Sequence, residues 1–194
     1  MHMKILATIG VLSVVVSVAG FATFSAFSST TSNSGNSFAA GTVYISDNDS
    51  GAAMYSVSNQ KPGDSVQKCI KVTYTGTLDS SVKIYASAVG AVGQYITLLV
   101  ETGTGSPTFP GCTGFTADAA PTLYSGTLKG FADTYTSYAS GLADNPGTAT
   151  KWVTNDAVVY RFTLTMQDNN SANGAGSGAL STGAHSFTWE AQNQ

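Results

Sequence analysis

The most regular stretch of the chain is 157–167, where Val158, Tyr160, Phe162, Leu164 and Met166 alternate with Val159, Arg161, Thr163, Thr165 and Gln167. Alternation with period two marks a strand that has one face in a core and the other toward solvent. Stretch 66–75 repeats it: Val66, Ile70, Val72 and Tyr74 share a face with the exception Lys68, opposite Gln67, Cys69, Lys71, Thr73 and Thr75. The pattern recurs through Val82, Ile84, Ala86 and Ala88, and through Ile96, Leu98 and Val100. It closes the chain at 185–192, with Phe187, Trp189 and Ala191 on one face. Two shorter runs, 42–45 and 54–58, read as strands separated by turn clusters. In the second cluster Pro62-Gly63 suits a tight turn, because Pro presets φ and Gly accepts a positive one.

One stretch departs from this rhythm. Leu128, Phe131, Tyr135, Tyr138 and Leu142 fall at steps of three and four, the spacing of one helix face. Thr127 can cap its start, and Gly130 weakens it. The expectation is one short helix packed over a sheet edge or an open end, its aromatics in the core rather than on a binding platform. About seven strands, turns and a single helical insertion predict an all-β fold, a jelly-roll-like β-sandwich.

The N-terminus reads as an address label. After Lys4 an apolar run without a charge extends from Ile5 to Ala22. A membrane anchor and a cleaved signal peptide compete for that length. Small residues Thr23 and Ser25 at −3 and −1 favour a cut between Ser25 and Ala26, and no Lys or Arg follows as a stop-transfer signal. This divides the chain into a signal peptide 1–25, a flexible polar arm 26–37 rich in Ser and Thr, and a β-sandwich domain 38–194. The protein is then secreted or held at the cell surface, touching the membrane only through its precursor leader.

Composition agrees with an exterior setting. Charged residues make up 10% of the 194-residue chain, against roughly 25% in an average soluble domain. The net charge of −3 and the lack of clustered Lys and Arg argue against a nucleic-acid partner. In an oxidising compartment the two cysteines, Cys69 and Cys112, are expected to form a disulfide, worth about 4 kcal/mol on the chain-entropy model. Since Cys69 lies on the polar face of its strand, the bond should pin the 103–113 loop across the outer face of the sheet.

Catalytic chemistry is not visible. A metalloprotease needs paired histidines and a carboxylate base, yet His185 stands alone after the leader, followed by Ser186-Phe187. Serine hydrolysis would need His185 as base beside a nucleophile, and no GxSxG elbow occurs. A glycosidase pair is not apparent, because Asp47, Asp49, Asp64, Asp79, Asp118, Asp144 and Asp168 read as turn residues. Asp47-Asn48-Asp49 and Asp168-Asn169-Asn170 could offer oxygens to Ca²⁺, but lack EF-hand spacing and a closing glutamate, and read as solvated turns. The glycine-rich 174–178 stretch lacks the lysine of a phosphate loop. No cofactor, metal or catalytic residue is expected.

Four motifs in order resemble the TasA/camelysin family of exported bacterial surface and biofilm-matrix proteins. Thr23-Phe24-Ser25-Ala26-Phe27-Ser28 is similar to its SipW-type signal-peptide cleavage site, and Phe38-Ala39-Ala40-Gly41-Thr42-Val43 to the start of its first strand. Lys61-Pro62-Gly63-Asp64 matches its KPGD turn, and Phe187-Thr188-Trp189-Glu190-Ala191 its closing strand. The resemblance implies self-assembly into filaments, in which each subunit's N-terminal segment adds as a strand to its neighbour. Carried over here, the donor is the segment from Ala26 to about Asn36, anchored by Phe27, and matrix or cell-wall components are further partners. The alternatives are a monomeric carbohydrate-binding or adhesion module using tyrosines such as Tyr135 and Tyr138, and a camelysin-like metallopeptidase.

Overall fold

The fold was obtained as a computed structural model that describes residues 37, 39–169 and 181–193. The leader, cleavage residues Ser25 and Ala26, arm residue Phe27, Phe38, Asn170 and the 174–178 loop lie outside the described residues. The chain divides into two units, 1–39 and 40–194, and every element below belongs to the second.

Among the described residues there are eight strands: β1 (Ile45–Asp47), β2 (Ser65–Tyr74), β3 (Ser80–Ala86), β4 (Ile96–Thr104), β5 (Thr116–Thr127), β6 (Leu142–Asp144), β7 (Ala157–Met166) and β8 (Phe187–Asn193). They build a five-stranded sheet of order β1-β2-β7-β4-β5 and a three-stranded sheet of order β6-β3-β8, all pairs antiparallel. The fold is the expected all-β sandwich. Its core comes from the inner faces predicted by alternation: Ile70, Val72 and Tyr74 of β2, Val82 and Ile84 of β3, Leu98 and Val100 of β4, and Val158, Tyr160, Phe162 and Leu164 of β7. Phe187 and Trp189 of β8 pack against it.

Some elements differ from the expectation. The first strand sits later, at Ile45–Asp47, while 42–44 hooks onto the turn after β2 through Thr77 N–H to Thr42 O (2.8 Å) and Thr75 N–H to Tyr44 O (2.9 Å). Stretch 54–58 joins no ladder; Met54 and Tyr55 dip toward the core and the residues after them are exposed. The short helix, α1 (Leu128–Thr134), begins at the predicted cap, Thr127 Oγ1 accepting from Gly130 N–H at 3.0 Å. It ends about two turns early because Leu142 is taken into β6. A 3-10 turn, Ala91–Tyr95, and the strands β5 and β6 were not anticipated. The Lys61-Pro62-Gly63-Asp64 turn forms as predicted, with Asp64 N–H on Lys61 O (3.0 Å) and Gly63 at φ +87°.

The aromatics near α1 are packing groups. Tyr124 and Phe131 meet at 4.9 Å between ring centroids, Phe131 and Tyr135 also at 4.9 Å, and the Lys83 ammonium lies 4.8 Å from the centre of the half-buried Tyr138 ring.

The outer face of the large sheet is crossed by a strap, residues 105–115 between β4 and β5. Cys112 on the strap is disulfide-bonded to Cys69 of β2, with Cα atoms 5.1 Å apart. Cys69 N–H donates to Pro110 O at 3.0 Å, so the strap also covers the edge of β2 beyond the end of β1. Asn48 ties the two together: its Oδ1 accepts from Lys71 N–H (2.8 Å) and its Nδ2 donates to Pro107 O (3.1 Å). Nearby Arg161 pairs with Glu101 at 2.8 Å and lies 4.4 Å from the centre of the Phe115 ring. Val159 and Cys69, on the polar side of their strands, are thereby buried.

Replacing both cysteines, Cys69→Ala with Cys112→Ala, should cost about 2–5 kcal/mol in denaturant unfolding. It should also make the strap the first site of limited proteolysis, because its remaining ties to β2 are a few hydrogen bonds at the edge of a sheet.

Candidate functional site

A sheet edge is a row of backbone donors and acceptors, and the edges of this sandwich are treated differently. β1 and β6 are three residues each, too short to template a partner. β5 is long, twelve residues, but carries Pro121 in mid-strand and faces register shifts opposite Val100 to Gly103. β8 is seven residues, is free of proline, and among the described residues pairs only with β3.

The direction of its free groups follows from the ladder. Ser87 N–H donates to Ser186 O at 3.0 Å, which extends the Tyr85–Thr188, Lys83–Glu190 and Ser81–Gln192 pairing by one step. Antiparallel strands alternate the edge they address. Thr188, Glu190 and Gln192 therefore spend their backbone groups on β3, while Phe187, Trp189, Ala191 and Asn193 direct theirs toward the free edge.

Beside that edge lies a groove between the sheets, bounded on its far side by the irregular segment 52–60. It consists of two adjoining cavities of about 530 Å³ and 470 Å³. The first is lined by Met54, Ile70, Phe187 and Trp189, the second by Val66, Ile96, Leu164 and Met166, and Tyr55, Val57 and His185 belong to both. The wall opposite β8 joins no ladder: residues 53–60 make no backbone-to-backbone hydrogen bond to another described residue. Trp189, in the lining, packs its ring 5.2 Å from that of Tyr160.

Among the described residues, one side-chain hydrogen bond crosses the groove. Tyr55 Oη and His185 Nε2 are 2.6 Å apart, and His185 Nδ1 is 3.0 Å from Gly183 O. Because the carbonyl can only accept, Nδ1 carries a proton, and Nε2 accepts from the Tyr55 hydroxyl. Burial pushes the Tyr55 phenol well above its ordinary value. No cue in the sequence links these residues, which are 130 positions apart.

The other acids are accounted for locally. Asp47 Oδ1 accepts from Asp49 N–H (3.0 Å) and Asp49 Oδ1 from Gly51 N–H (2.5 Å), while Asn48 is spent on the strap. Asp118 and Asp144 are not turn residues as the sequence suggested: Asp118 lies in β5 and Asp144 in β6. Burial raises the Asp144 carboxyl from 3.8 to about 6, offset in part by the Tyr160 hydroxyl donating to it at 2.7 Å. Neither aspartate lines the groove.

Among the described residues, the fold and the edge define a strapped two-sheet β-sandwich with β8 open along one side. The family model described as camelysin metallo-endopeptidase matches residues 1–91, a likeness consistent with the TasA/camelysin resemblance that the chain's motifs carry. No curated protein matches the chain. No helix among the described residues is long and apolar enough to cross a membrane.

The family description implies a peptidase metal, and the described residues do not fit one. Both cysteines are in the disulfide, both nitrogens of His185 are engaged, and no three of His, Cys, Asp and Glu converge among the described residues.

Native Asp144 holds its proton more tightly than the unfolded chain does. Its contribution to stability is therefore complete below 3.8 and is lost as pH rises through about 6. Asp144→Asn, whose amide oxygen still accepts from Tyr160, should stabilise the protein above pH 6 by up to about 3 kcal/mol. Thermal melts across pH should show that gain shrinking toward zero below 3.8.

Proposed function

We propose that this protein is an exported structural subunit or accessory component of an extracellular fibre or biofilm matrix, assembling by addition of an N-terminal strand to the open edge of β8 in a neighbour. The observation that carries the reading is the free, proline-less β8 edge beside an apolar groove whose far wall joins no ladder. A strand laid there gains main-chain hydrogen bonds on the β8 side and apolar surface below. The donor is the segment from Ala26 to about Asn36, with Phe27 as its apolar anchor. Its many serines and threonines leave most of the affinity to the backbone ladder. A head-to-tail contact of this kind does not close on itself, so it produces filaments.

The donor set described above supports a non-enzymatic role rather than the peptidase activity in the family's description. The packed tyrosines weigh against the carbohydrate-module reading, since Tyr135 is engaged with Phe131 and Tyr138 with Lys83.

Deleting residues 26–36 should abolish filaments in electron micrographs of secreted protein. Ala191→Pro should do the same while leaving a folded monomer, because it removes an N–H directed at the free edge and spares the β3 ladder. Gln192→Pro should instead destabilise the monomer, since its N–H pairs with Ser81. Filaments of normal length from Ala191→Pro would reject β8 as the acceptor.

A further inference from the structure

The large apolar side chains left exposed among the described residues are Val43 (37%), Tyr44 (61%), Leu78 (38%), Val153 (42%) and Val57 (50%). Single exposed apolar residues are ordinary. These are not scattered. Val57 lines both cavities of the groove. The other four sit on three segments laced together at one end of the sandwich. Thr42 O accepts from Thr77 and Leu78 N–H (2.8 and 3.1 Å), Tyr44 O accepts from Thr75 and Gly76 N–H (2.9 and 3.2 Å), and Asn155 N–H donates to Tyr74 O (2.9 Å). This is also the end at which the chain enters the domain, a few residues after position 39.

We infer that the apolar end formed by Val43, Tyr44, Leu78 and Val153 is a contact surface for a second copy of this chain, docking on the rim of that copy's groove around Val57. The inference rests on the strand-addition reading and extends it from the strand to the domain surfaces. Chain length supplies the constraint. With residues 26–36 seated in a neighbour's groove, residues 37–39 can bridge at most about 11 Å when fully extended. The end of the domain that carries Tyr44 must then stand against the mouth of that groove, where the exposed counterpart is Val57. The two surfaces differ, so the contact is heterologous and propagates in the same direction as the strand. Four side chains fall well short of the roughly 800 Å² per partner of a stable interface. The patch therefore cannot hold two copies together unaided, and contributes only where the strand already links them.

The test uses the full secreted protein. Tyr44→Ser with Val153→Ser, both at exposed positions, should leave the melting temperature unchanged and raise the lowest concentration that yields filaments about tenfold. Tyr44→p-benzoylphenylalanine, irradiated in filaments, should cross-link to residues 52–60 or 181–187 of another copy. An unchanged threshold, or cross-links that fall within the same chain before residue 37, overturns the contact while leaving strand addition intact, provided the 26–36 deletion still abolishes filaments. Filaments that survive that deletion, or none from the parent protein, overturn both.

Discussion

Backbone pairing along both edges of β7 is the interaction on which the rest of the structure depends. β7 runs between β2 and β4, with Ser65 to Thr73 of β2 and Ile96 to Gly103 of β4 matched to it. Once that register is set, its even-numbered residues Val158, Tyr160, Phe162 and Leu164 fall on one side with the inner residues of its neighbours. Phe162 then meets Phe187 at 4.7 Å and Tyr160 meets Trp189 at 5.2 Å, which seats the small sheet on the large one. A slip of one residue would exchange Phe162 for Arg161 in the core, an exchange that burial of an unpaired charge forbids.

The same register organises the outer face. It aligns Cys69, Arg161 and Glu101 in one row across three strands. The disulfide, the ion pair and the Phe115 ring all act on that row, and the strap they hold down buries Val159 and covers part of the β2 edge. A chain poor in charge has few salt bridges to spend, so a covalent tie and side-chain-to-backbone bonds such as those of Asn48 take over the guarding of edges. β8 is left without such a guard. An open edge is a hazard unless something fills it, and the apolar groove beside it gives an added strand somewhere to put side chains.

The family description and the donor set point in different directions. A catalytic metal needs several ligands brought to one place with an open coordination position. Here the described acids are spread over turns, the edge strands β5, β6 and β8, α1 and the strap side of the sheet, and the described histidine is held between Tyr55 and Gly183. The assembly reading draws on the sandwich and its open edge.

How much of this was legible in the residues follows from the range of the interactions involved. Alternation alone gave β2, β7 and β8 nearly to their ends, because a half-buried strand needs nothing but its own period. The KPGD turn and the Thr127 cap were equally local. β5 escaped notice because Thr116–Thr127 mixes Ala, Asp and Pro121 without a clean period; it is held as a strand by β4. The helix was drawn too long because Tyr138 and Leu142 keep helical spacing by coincidence, while β3 captures Leu142 into a ladder at Ile84. The sequence by itself determined which faces turn inward, the disulfide partners and the sparsely charged character of the chain. Only the tertiary structure decided that β8 ends a sheet, that Tyr55 meets His185, and that four exposed apolar residues gather at one end, because each joins segments far apart in the chain and a local pattern carries no record of its distant neighbours.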